Sequence, residues 1–349
     1  MQETIEKILK KTRKEHWEED FPVIYDKPIN TMNKKLYIEA AVPGWLPTKW
    51  WEERGIPNMP PTTIEGQAAG IIECVKAGAT VIHTHPRDPN PGPPMFGAAG
   101  SRRHAELLSE IMDIVYEEVD CISAHHSWTM DLSKSRDVDY ISMTQEYLNI
   151  SKEKGTGLRD VQSALIMTEA AFTDKCVMST DAAIEGTEFF EKNGIKPMFS
   201  MQSFSFPKFR RVLFNENNLI AKNRPYWVAI QMGKHNDDQI WSDPWSYIQT
   251  INNISMFREA FPEDTFFALH VGGRNWLPVA TIGILYGIDL IRVGVEDQFW
   301  LYPHRNEIAH HPSDTVKMVV DIATALGRAI GTVNEARERL KIPYRPSSK

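Results

Sequence analysis

The sequence predicts a (β/α)8 TIM barrel, and three observations support this fold class. The chain has 349 residues, a length that suits one α/β barrel with insertions. Eight short apolar runs recur along it, with helical patterns between most of them. No repeat, low-complexity tract or Ser/Gly linker divides the chain. Eight β–α units within about 300 residues favour a closed parallel barrel over an open doubly wound sheet.

The eight apolar runs are the predicted strands of the barrel. Each has the length and the apolar character expected of a buried strand. In chain order they are Leu36–Val42, Thr80–His85, Cys121–His126, Val161–Met167, Pro197–Gln202, Tyr226–Gln231, Thr265–His270 and Leu290–Val295.

The clearest predicted helix covers Thr63–Ala77 and leads into the second strand. Thr62 and Glu65 have the spacing of a capping box at its start, and Gly78 follows its end. Apolar side chains recur on one face at helical spacing, namely Ile64, Ala68, Ile71, Ile72 and Val75.

The chain is predicted to contain an N-terminal helical extension, residues 1–34, and a single (β/α)8-barrel domain, residues 35–349. The extension precedes the first strand and has the pattern of an added amphipathic helix. At the other end, Thr332 and Glu335 form a capping pair that opens a last helix, which runs to Leu340. This helix completes the outer layer of the predicted barrel.

Composition and charge exclude several classes of function. The formal net charge is −7, so no nucleic-acid surface or anionic membrane partner is indicated. No apolar stretch is long enough to span a bilayer, and the N-terminus is charged throughout, unlike a signal peptide. The three cysteines have unrelated spacings and suggest neither disulfides nor a C-x-x-C metal site. We therefore expect a cytoplasmic protein that acts on a small molecule.

Two histidines at the end of the second predicted strand are the first candidate site residues. His83 and His85 are two residues apart, so both side chains point to the same face of a strand. The active site of barrel enzymes lies at the carboxyl ends of the strands. Two imidazoles at this position can bind one metal ion. The alternative is two unrelated polar residues, one of them a core histidine.

The eighth predicted strand supplies a third candidate ligand. It ends in the adjacent carboxylates Glu296 and Asp297, and Arg292 lies four residues before Glu296. One carboxylate can bind the metal while the other acts as a base. Arg292, if it faces inward, requires a carboxylate partner or an anionic substrate. The alternative is a solvated acidic turn with a structural Arg–Asp pair.

Two histidines and one carboxylate leave open positions on a metal ion. Such a site suits Zn, Mn, Fe or Co, and an ion held there can polarise a carbonyl or activate water. Zinc and manganese are the expected ions.

Four other polar residues are candidates for catalysis or substrate binding. Glu39 interrupts the first strand, which lies between the eighth and second strands of a barrel. It is a candidate base, with a barrel-wall salt bridge as the equal alternative. His125 and Ser127 follow the third strand with the same parity. Arg274 follows two glycines after the seventh strand and resembles part of a phosphate-binding loop.

Three blocks of sequence resemble the β-keto acid cleavage enzymes, the group that includes the 3-keto-5-aminohexanoate cleavage enzyme. In order and spacing, the resemblance covers roughly residues 35 to 342, and the blocks together are more specific than His-x-His alone. They are Glu65–Asp88 with its His-Thr-His-Pro-Arg-Asp motif, Gly273–Asp297 with Arg-Val-Gly-Val-Glu-Asp at its end, and Ala325–Leu340 with Ala-Leu-Gly-Arg at its start.

The resemblance implies a homo-oligomeric (dimeric or tetrameric) metal-dependent barrel enzyme. Such enzymes cleave a β-keto acid by a retro-Claisen route with acetyl-CoA as acyl acceptor. It implies that His83, His85 and Glu296 bind the metal, often zinc. It also implies that Asp297 is the base, held and tuned by Arg292.

The resemblance further assigns Ser127 to the substrate carboxylate and Ser163 to a second hydroxyl contact. The chain also departs from its relatives. The glutamate that binds a substrate amino group is missing after Gly44, and Met198 and Ser200 replace acidic residues of the fifth strand. The chain is thus predicted to be a divergent member with a different substrate.

These departures leave three enzymatic functions open. Family-type cleavage with acetyl-CoA is the first. The second is hydrolytic cleavage of a neutral, possibly cyclic, 1,3-diketone by metal-activated water without CoA. The third is a metal-dependent hydrolase of the amidohydrolase type, which also uses His-x-His but normally on its first strand. A non-enzymatic metal-binding protein is the remaining alternative.

Overall fold

A closed barrel of eight parallel strands is the framework of this computed structural model. The structure describes residues 3–7, 30–44, 48–57, 59–88, 98–129, 135, 137–167, 177–203, 205–233 and 245–346. Each strand pairs with the next, and the last closes on the first, which confirms the predicted barrel and its strand order. The strands are β1 Tyr37–Ala41, β2 Val81–His83, β3 Ile122–His125, β4 Ser163–Met167, β5 Lys196–Met201, β6 Trp227–Met232, β7 Phe266–Val271 and β8 Leu290–Val293.

Helices form the layer outside the barrel. They pack apolar side chains against the outer faces of the strands in one continuous core. In the described part of the chain they are α1 Thr48–Arg54, α2 Ile64–Lys76, α3 Ala98–Glu118, α4 Tyr140–Lys154, α5 Thr180–Lys192, α6 Phe206–Leu213, α7 Trp245–Ala260, α8 Trp276–Leu285, α9 Asp314–Ala325 and α10 Val333–Leu340.

The register of the strands gathers polar side chains on one part of the inner wall. Glu39 of β1 pairs with Arg292 of β8, and Arg292 pairs with His270 of β7. On the other side, Ala41 of β1 pairs with His83 of β2. Paired residues of parallel neighbours point to the same face, so β1 brings residues of β8 and β2 together.

Five strands, β1 to β4 and β8, are shorter than predicted, and the differences at β2 and β8 affect the site. β2 ends at His83 rather than His85, because the amide of Thr84 donates to Nδ1 of His125 instead of extending the ladder. β8 ends at Val293 rather than Val295, because Gly294 has a positive φ of 138° and the chain turns. Glu296 and His85 therefore lie in loops just beyond the strand ends.

Two predicted helix caps had different outcomes. The capping box at Thr332 and Glu335 is confirmed, with both reciprocal hydrogen bonds present. The cap predicted at Thr62 was wrong by one residue. Thr63 is the N-cap of α2, and its Oγ1 accepts a hydrogen bond from the amide of Gly66 at 3.1 Å. The residue three positions after Thr63 is Gly66, so Thr63 caps α2 without the glutamate that the capping-box spacing of Thr62 and Glu65 suggested.

Gly294 allows the end of β8 to approach β1. A Cβ at this position would overlap the carbonyl oxygen of Ala41, and the φ of 138° is one that other residues rarely adopt. We expect Gly294→Ala to lower the free energy of unfolding by about 3 kcal/mol, from clash and backbone strain together. Urea denaturation of the variant and the wild type measures this loss.

Gly327→Ala is the matched control for this substitution. Gly327 also has a positive φ, of 77°, but nothing lies within 4 Å of its Cβ position. Gly327→Ala should lower the free energy of unfolding by the backbone strain alone, about 1 kcal/mol. An equal loss in both variants would contradict the close approach at Gly294.

The N-terminal helical extension stays a prediction. Of residues 1–34, the structure describes residues 3–7, which are helical, and residues 30–34, which include a short 3-10 helix at Asn30–Asn33. Most of the predicted extension thus lies outside the described residues. Across the described ranges, no helix combines the length and the apolar character needed to cross a membrane.

Candidate metal centre

Three predicted ligands meet just beyond the carboxyl ends of β2 and β8. Nε2 of His83 lies 3.1 Å from Nε2 of His85, and Oε2 of Glu296 lies 3.5 Å from each of these nitrogens. All three side chains are buried. The structure thus brings together the three residues that were predicted to bind a metal.

The spacing and the proton positions of this cluster fit a metal ion. Nδ1 of His83 lies 2.7 Å from the carbonyl oxygen of Ala124, so Nδ1 carries the proton and Nε2 is the nitrogen that can ligate a metal. Nε2 of His85 also faces the cluster, whereas its Nδ1 has no hydrogen-bond partner in the described part of the chain. Ligands at about 2.1 Å around a tetrahedral ion are about 3.4 Å apart, close to the distances observed.

Arg292 connects this cluster to two further carboxylates. Its Nη2 donates to Glu296 at 2.5 Å, its Nε to Asp297 at 2.8 Å and its Nη1 to Glu39 at 3.1 Å. Burial alone would lower the pKa of Arg292, but Asp297, Glu296 and Glu39 outweigh it and raise that pKa. Three carboxylates against one guanidinium leave a formal charge of −2. A divalent cation would neutralise it, which favours such an ion in this buried site.

Glu39 has a second neighbour that the sequence did not reveal. Its Oε2 lies 3.6 Å from Nε2 of His270, and both side chains are fully buried. His270 pairs in register with Arg292. Neither the apolar run of β7 nor any spacing identifies His270 as a site residue; only the closed barrel does.

A second group of histidines lies behind the candidate ligands. The ring of His126 packs on that of His85, with centroids 4.6 Å apart, and the ring of His104 follows 6.0 Å further on. The hydroxyl of Tyr147 donates to the carbonyl of His126 at 2.7 Å and lies 2.9 Å from Nδ1 of His104. No motif or spacing identifies His104 as a site residue, because it lies on α3, far in sequence from any strand end.

The histidines of this group are held neutral. Burial, followed by the charge of His85, lowers the pKa of His125 to about 3. Burial, followed by the charges of His85 and His125, lowers the pKa of His104 to about 3. Burial also lowers the pKa of His126 well below its usual value. Neutral histidine rings therefore pack behind the negatively charged cluster that Arg292 forms with its three carboxylates.

His104 is expected to make the protein sensitive to acid. Its pKa is about 3 when folded and about 6.5 when unfolded, so the unfolded state binds the extra proton between these values. Stability is therefore complete above pH 6.5 and falls as the pH falls towards 3. At pH 5 this costs about 2 kcal/mol per such histidine. Urea denaturation should show that His104→Gln reduces the loss between pH 8 and pH 5 by that amount. His311→Gln, at an exposed position, should leave the loss unchanged, and an unchanged loss in His104→Gln would contradict the assignment.

The predicted substrate-binding residues divide into two groups. His125 and Ser127 are buried at and just beyond the end of β3. Nδ1 of His125 accepts from the amide of Thr84 at 3.1 Å, so its Nε2 carries the proton. Ser127 donates to the carbonyl of Leu165 at 2.5 Å, which leaves its oxygen as an acceptor.

The other two predicted residues have partners elsewhere. The hydroxyl of Ser163 donates to the carbonyl of Lys196 at 2.7 Å, at the first residue of β4. Arg274 lies 3.7 Å over the ring of Trp300 and donates to Arg305 and Asn306. In the described residues, no contact joins Ser163 or Arg274 to the metal cluster. The sequence motifs predicted where Ser163 and Arg274 lie in the chain of strands and loops, but not the direction of their side chains.

The fold and this geometry define a (β/α)8-barrel protein with a candidate divalent-metal centre at the catalytic end of the barrel. More narrowly, the chain belongs to the beta-keto acid cleavage enzyme family, whose profile matches residues 35–342. It is therefore a C–C bond-cleaving enzyme, and the resemblance inferred from the three sequence blocks is confirmed.

Individual relatives are distant but span nearly the whole chain. The chain is 23% identical over 331 residues to the 3-dehydrocarnitine:acetyl-CoA trimethylamine transferase of Rhizobium meliloti (strain 1021), covering 90% of this chain and 99% of that protein. It is 22% identical over 325 residues to the 3,5-dioxohexanoate:acetyl-CoA acetone transferase of Paraburkholderia graminis, covering 88% and 96%. The apo structure of ObcA superposes with a TM-score of 0.63 at 16% identity, covering 82% of this chain and 66% of that one, a likeness that shows the fold alone.

Proposed function

We propose that this enzyme cleaves a β-keto acid by a retro-Claisen route, with acetyl-CoA as acyl acceptor and one divalent metal ion, zinc or manganese. The observation that carries the proposal is the convergence of His83, His85 and Glu296 next to the Arg292–Asp297 pair. The two relatives described above are transferases whose names both include acetyl-CoA, which supports the choice of acceptor. The position of the histidines at β2 and the family assignment favour this reaction over an amidohydrolase.

Each charged residue of the cluster has a distinct task in this proposal. His83, His85 and Glu296 would hold the ion, which supplies Lewis-acid polarisation of a keto oxygen. Asp297 is the base that removes a proton from the carbon between the keto and carboxylate groups. Arg292 holds Asp297 through two hydrogen bonds, at 2.8 and 3.3 Å. Glu39 fixes the far side of the guanidinium.

The atoms of the reaction balance with acetyl-CoA alone. The deprotonated carbon attacks the thioester carbonyl of acetyl-CoA and releases the CoA thiolate. The thiolate then attacks the original keto carbon, and the bond from that carbon to the deprotonated carbon breaks. The electron pair left on the latter takes up the proton. The products are acetoacetate and the CoA thioester of the remaining acyl group.

A steady-state assay with acetyl-CoA and a panel of β-keto acids tests the proposal. We expect acetoacetate and a new CoA thioester in equal amounts, with turnover that depends on added Zn²⁺ or Mn²⁺ after chelation. Asp297→Asn should keep the metal and lose turnover. Absence of any CoA-dependent product across the panel would overturn this function.

Hydrolysis of a neutral 1,3-diketone is the second candidate, because the described residues at the carboxyl ends of β5 and β6 include uncharged amide and hydroxyl side chains. Gln231 of β6 donates to Ser200 of β5, and Gln202 follows β5. Both side-chain atoms of Gln202 are buried and lack partners within the described ranges. A neutral carbonyl or hydroxyl group suits these amides better than a cationic amine. Incorporation of labelled solvent oxygen into a product carboxylate would favour hydrolysis, and incorporation into neither product would exclude it.

A further inference from the structure

Arg87 differs from every other buried arginine in the described part of the chain. Four arginines are buried there. Arg292 binds carboxylates, Arg337 binds Asp120, and Arg328 donates to backbone carbonyls. Arg87 is 3% exposed and has neither kind of partner. Burial lowers the pKa of its guanidinium, and no carboxylate among the described residues opposes this effect, since the adjacent Asp88 pairs with Arg103.

The hydrogen bonds of Arg87 are incomplete on one side. Its Nη2 donates to Oγ1 of Thr48 at 2.6 Å, whereas its buried Nη1 has no hydrogen-bond partner among the described residues. The neighbouring segments 45–47 and 89–97 contain no acidic residue. A buried guanidinium without a counter-charge costs several kcal/mol, so its retention calls for an anion from outside the chain.

The backbone around Arg87 is fixed before any ligand arrives. The side-chain amide of Gln67 on α2 accepts from the amide of Arg87 at 2.7 Å and donates to its carbonyl at 2.9 Å. Thr48, half-buried at the start of α1, accepts from the guanidinium and so keeps its own hydroxyl proton for another acceptor. One cation and one hydroxyl donor, both held on rigid elements, form a preorganised site for anionic oxygens.

The position of this pair places it beside the metal cluster. Arg87 follows the candidate ligand His85 by two residues, a separation of at most about 7 Å between Cα atoms. Thr48 begins the helix after β1, and β1 lies between the strands that lead to His85 and Glu296. Arg87 and its partner Thr48 thus both belong to segments that leave the carboxyl ends of β2 and β1, the end of the barrel where substrates of such enzymes bind.

We propose that Arg87 and Thr48 bind an anionic oxygen group, a carboxylate or a phosphate, of one of the two substrates. This proposal rests on the proposed function, which supplies two anionic reactants. The carboxylate of the β-keto acid and the phosphates of CoA share the chemistry that a guanidinium recognises. The test below distinguishes the two sources.

Titration calorimetry with charged and neutral probes tests the site without turnover. The probes are CoA against pantetheine, which lacks the phosphates, and acetoacetate against acetylacetone, which lacks the carboxylate. Arg87→Gln should weaken binding of the charged member of one pair about 10- to 100-fold, as expected for hydrogen bonds to a charged group. It should leave the neutral member unchanged, and the affected pair identifies the source of the anion.

Arg103→Gln is the matched control. Arg103 is a neighbouring, partly exposed arginine that is already paired with Asp88, so its loss should not change the affinity for any probe. If Arg87→Gln does not fold, Arg87→Lys keeps the charge but not the planar fork. It should still weaken the charged probe alone, by several-fold at least.

Three results would overturn the site. They are equal weakening of charged and neutral probes, no weakening at all, and failure of the wild type to bind either charged probe. The outcome is separable from that of the proposed function. Selective loss of anion binding in a protein that cleaves no β-keto acid leaves the site standing without the reaction. If the protein cleaves β-keto acids but Arg87→Gln binds the charged probes as tightly as the wild type, the proposed reaction is supported and the proposed site is not.

Discussion

His85→Ala will abolish stoichiometric binding of a divalent metal and reduce kcat/KM by about 10³-fold or more, the size expected when Lewis-acid catalysis is lost. His85 contributes one of three atoms that meet within a single coordination sphere. The two remaining ligands, His83 and Glu296, would hold an ion weakly. Elemental analysis of the purified variant, together with the acetyl-CoA assay, measures both effects.

Glu296→Gln should behave like His85→Ala, because an amide oxygen replaces an anionic ligand with a neutral one. His311→Ala is the matched control, since His311 is 65% exposed and lies outside the cluster; its metal content and activity should equal those of the wild type. Full metal occupancy in His85→Ala would contradict the assignment of the ligands.

Arg292→Met will lower the free energy of unfolding of the metal-free protein by about 3–5 kcal/mol at pH 8, the usual cost of breaking a buried ion pair. Without the guanidinium, Glu39, Glu296 and Asp297 are close together and uncompensated. Mutual repulsion of these three negative charges destabilises the folded state, and acid weakens this repulsion. The destabilisation should therefore be largest at pH 8 and smaller at pH 5. Urea denaturation in excess chelator at both pH values measures this difference.

Arg328→Met provides the comparison for this prediction. Arg328 is equally buried, but it donates to the carbonyls of Ile284 and Ile288 rather than to carboxylates. Its loss should destabilise the fold by a similar amount at both pH values. If Arg292→Met were equally destabilised at pH 5 and pH 8, the three carboxylates would not be coupled through Arg292.

The barrel was predictable from the sequence because each strand is a local apolar run. The ligand pair His83 and His85 was predictable for the same reason, since both residues belong to one short segment. The register of β8 against β1 is not local: Glu39 and Arg292 are 253 residues apart in sequence. Their contact, and the approach of His270 to Glu39, follow only from closure of the sheet.

The directions of individual side chains were also not predictable from the sequence. His85 was expected within a strand, yet it lies beyond the strand because His125 takes the amide of Thr84. Ser163 and Arg274 were placed on the correct strands or loops, but hydrogen bonds to Lys196 and Arg305 orient them elsewhere. Nor does any spacing show that Arg87 lacks a carboxylate partner among the described residues, because its possible partners come from distant parts of the chain.

The closure of β8 on β1 also has a consequence for the stability of the folded enzyme. The candidate ligands lie at or just after the ends of β2 and β8, the two strands that flank β1. An ion bound there would cross-link these strand ends and so stabilise the closure of the barrel. An ion at a thousand times its dissociation constant adds about 4 kcal/mol to the folded state. Loss of metal would then weaken the pairing of β1 with β8. Chelation should therefore make the segments around β1 and β8 sensitive to proteases before the strands between them.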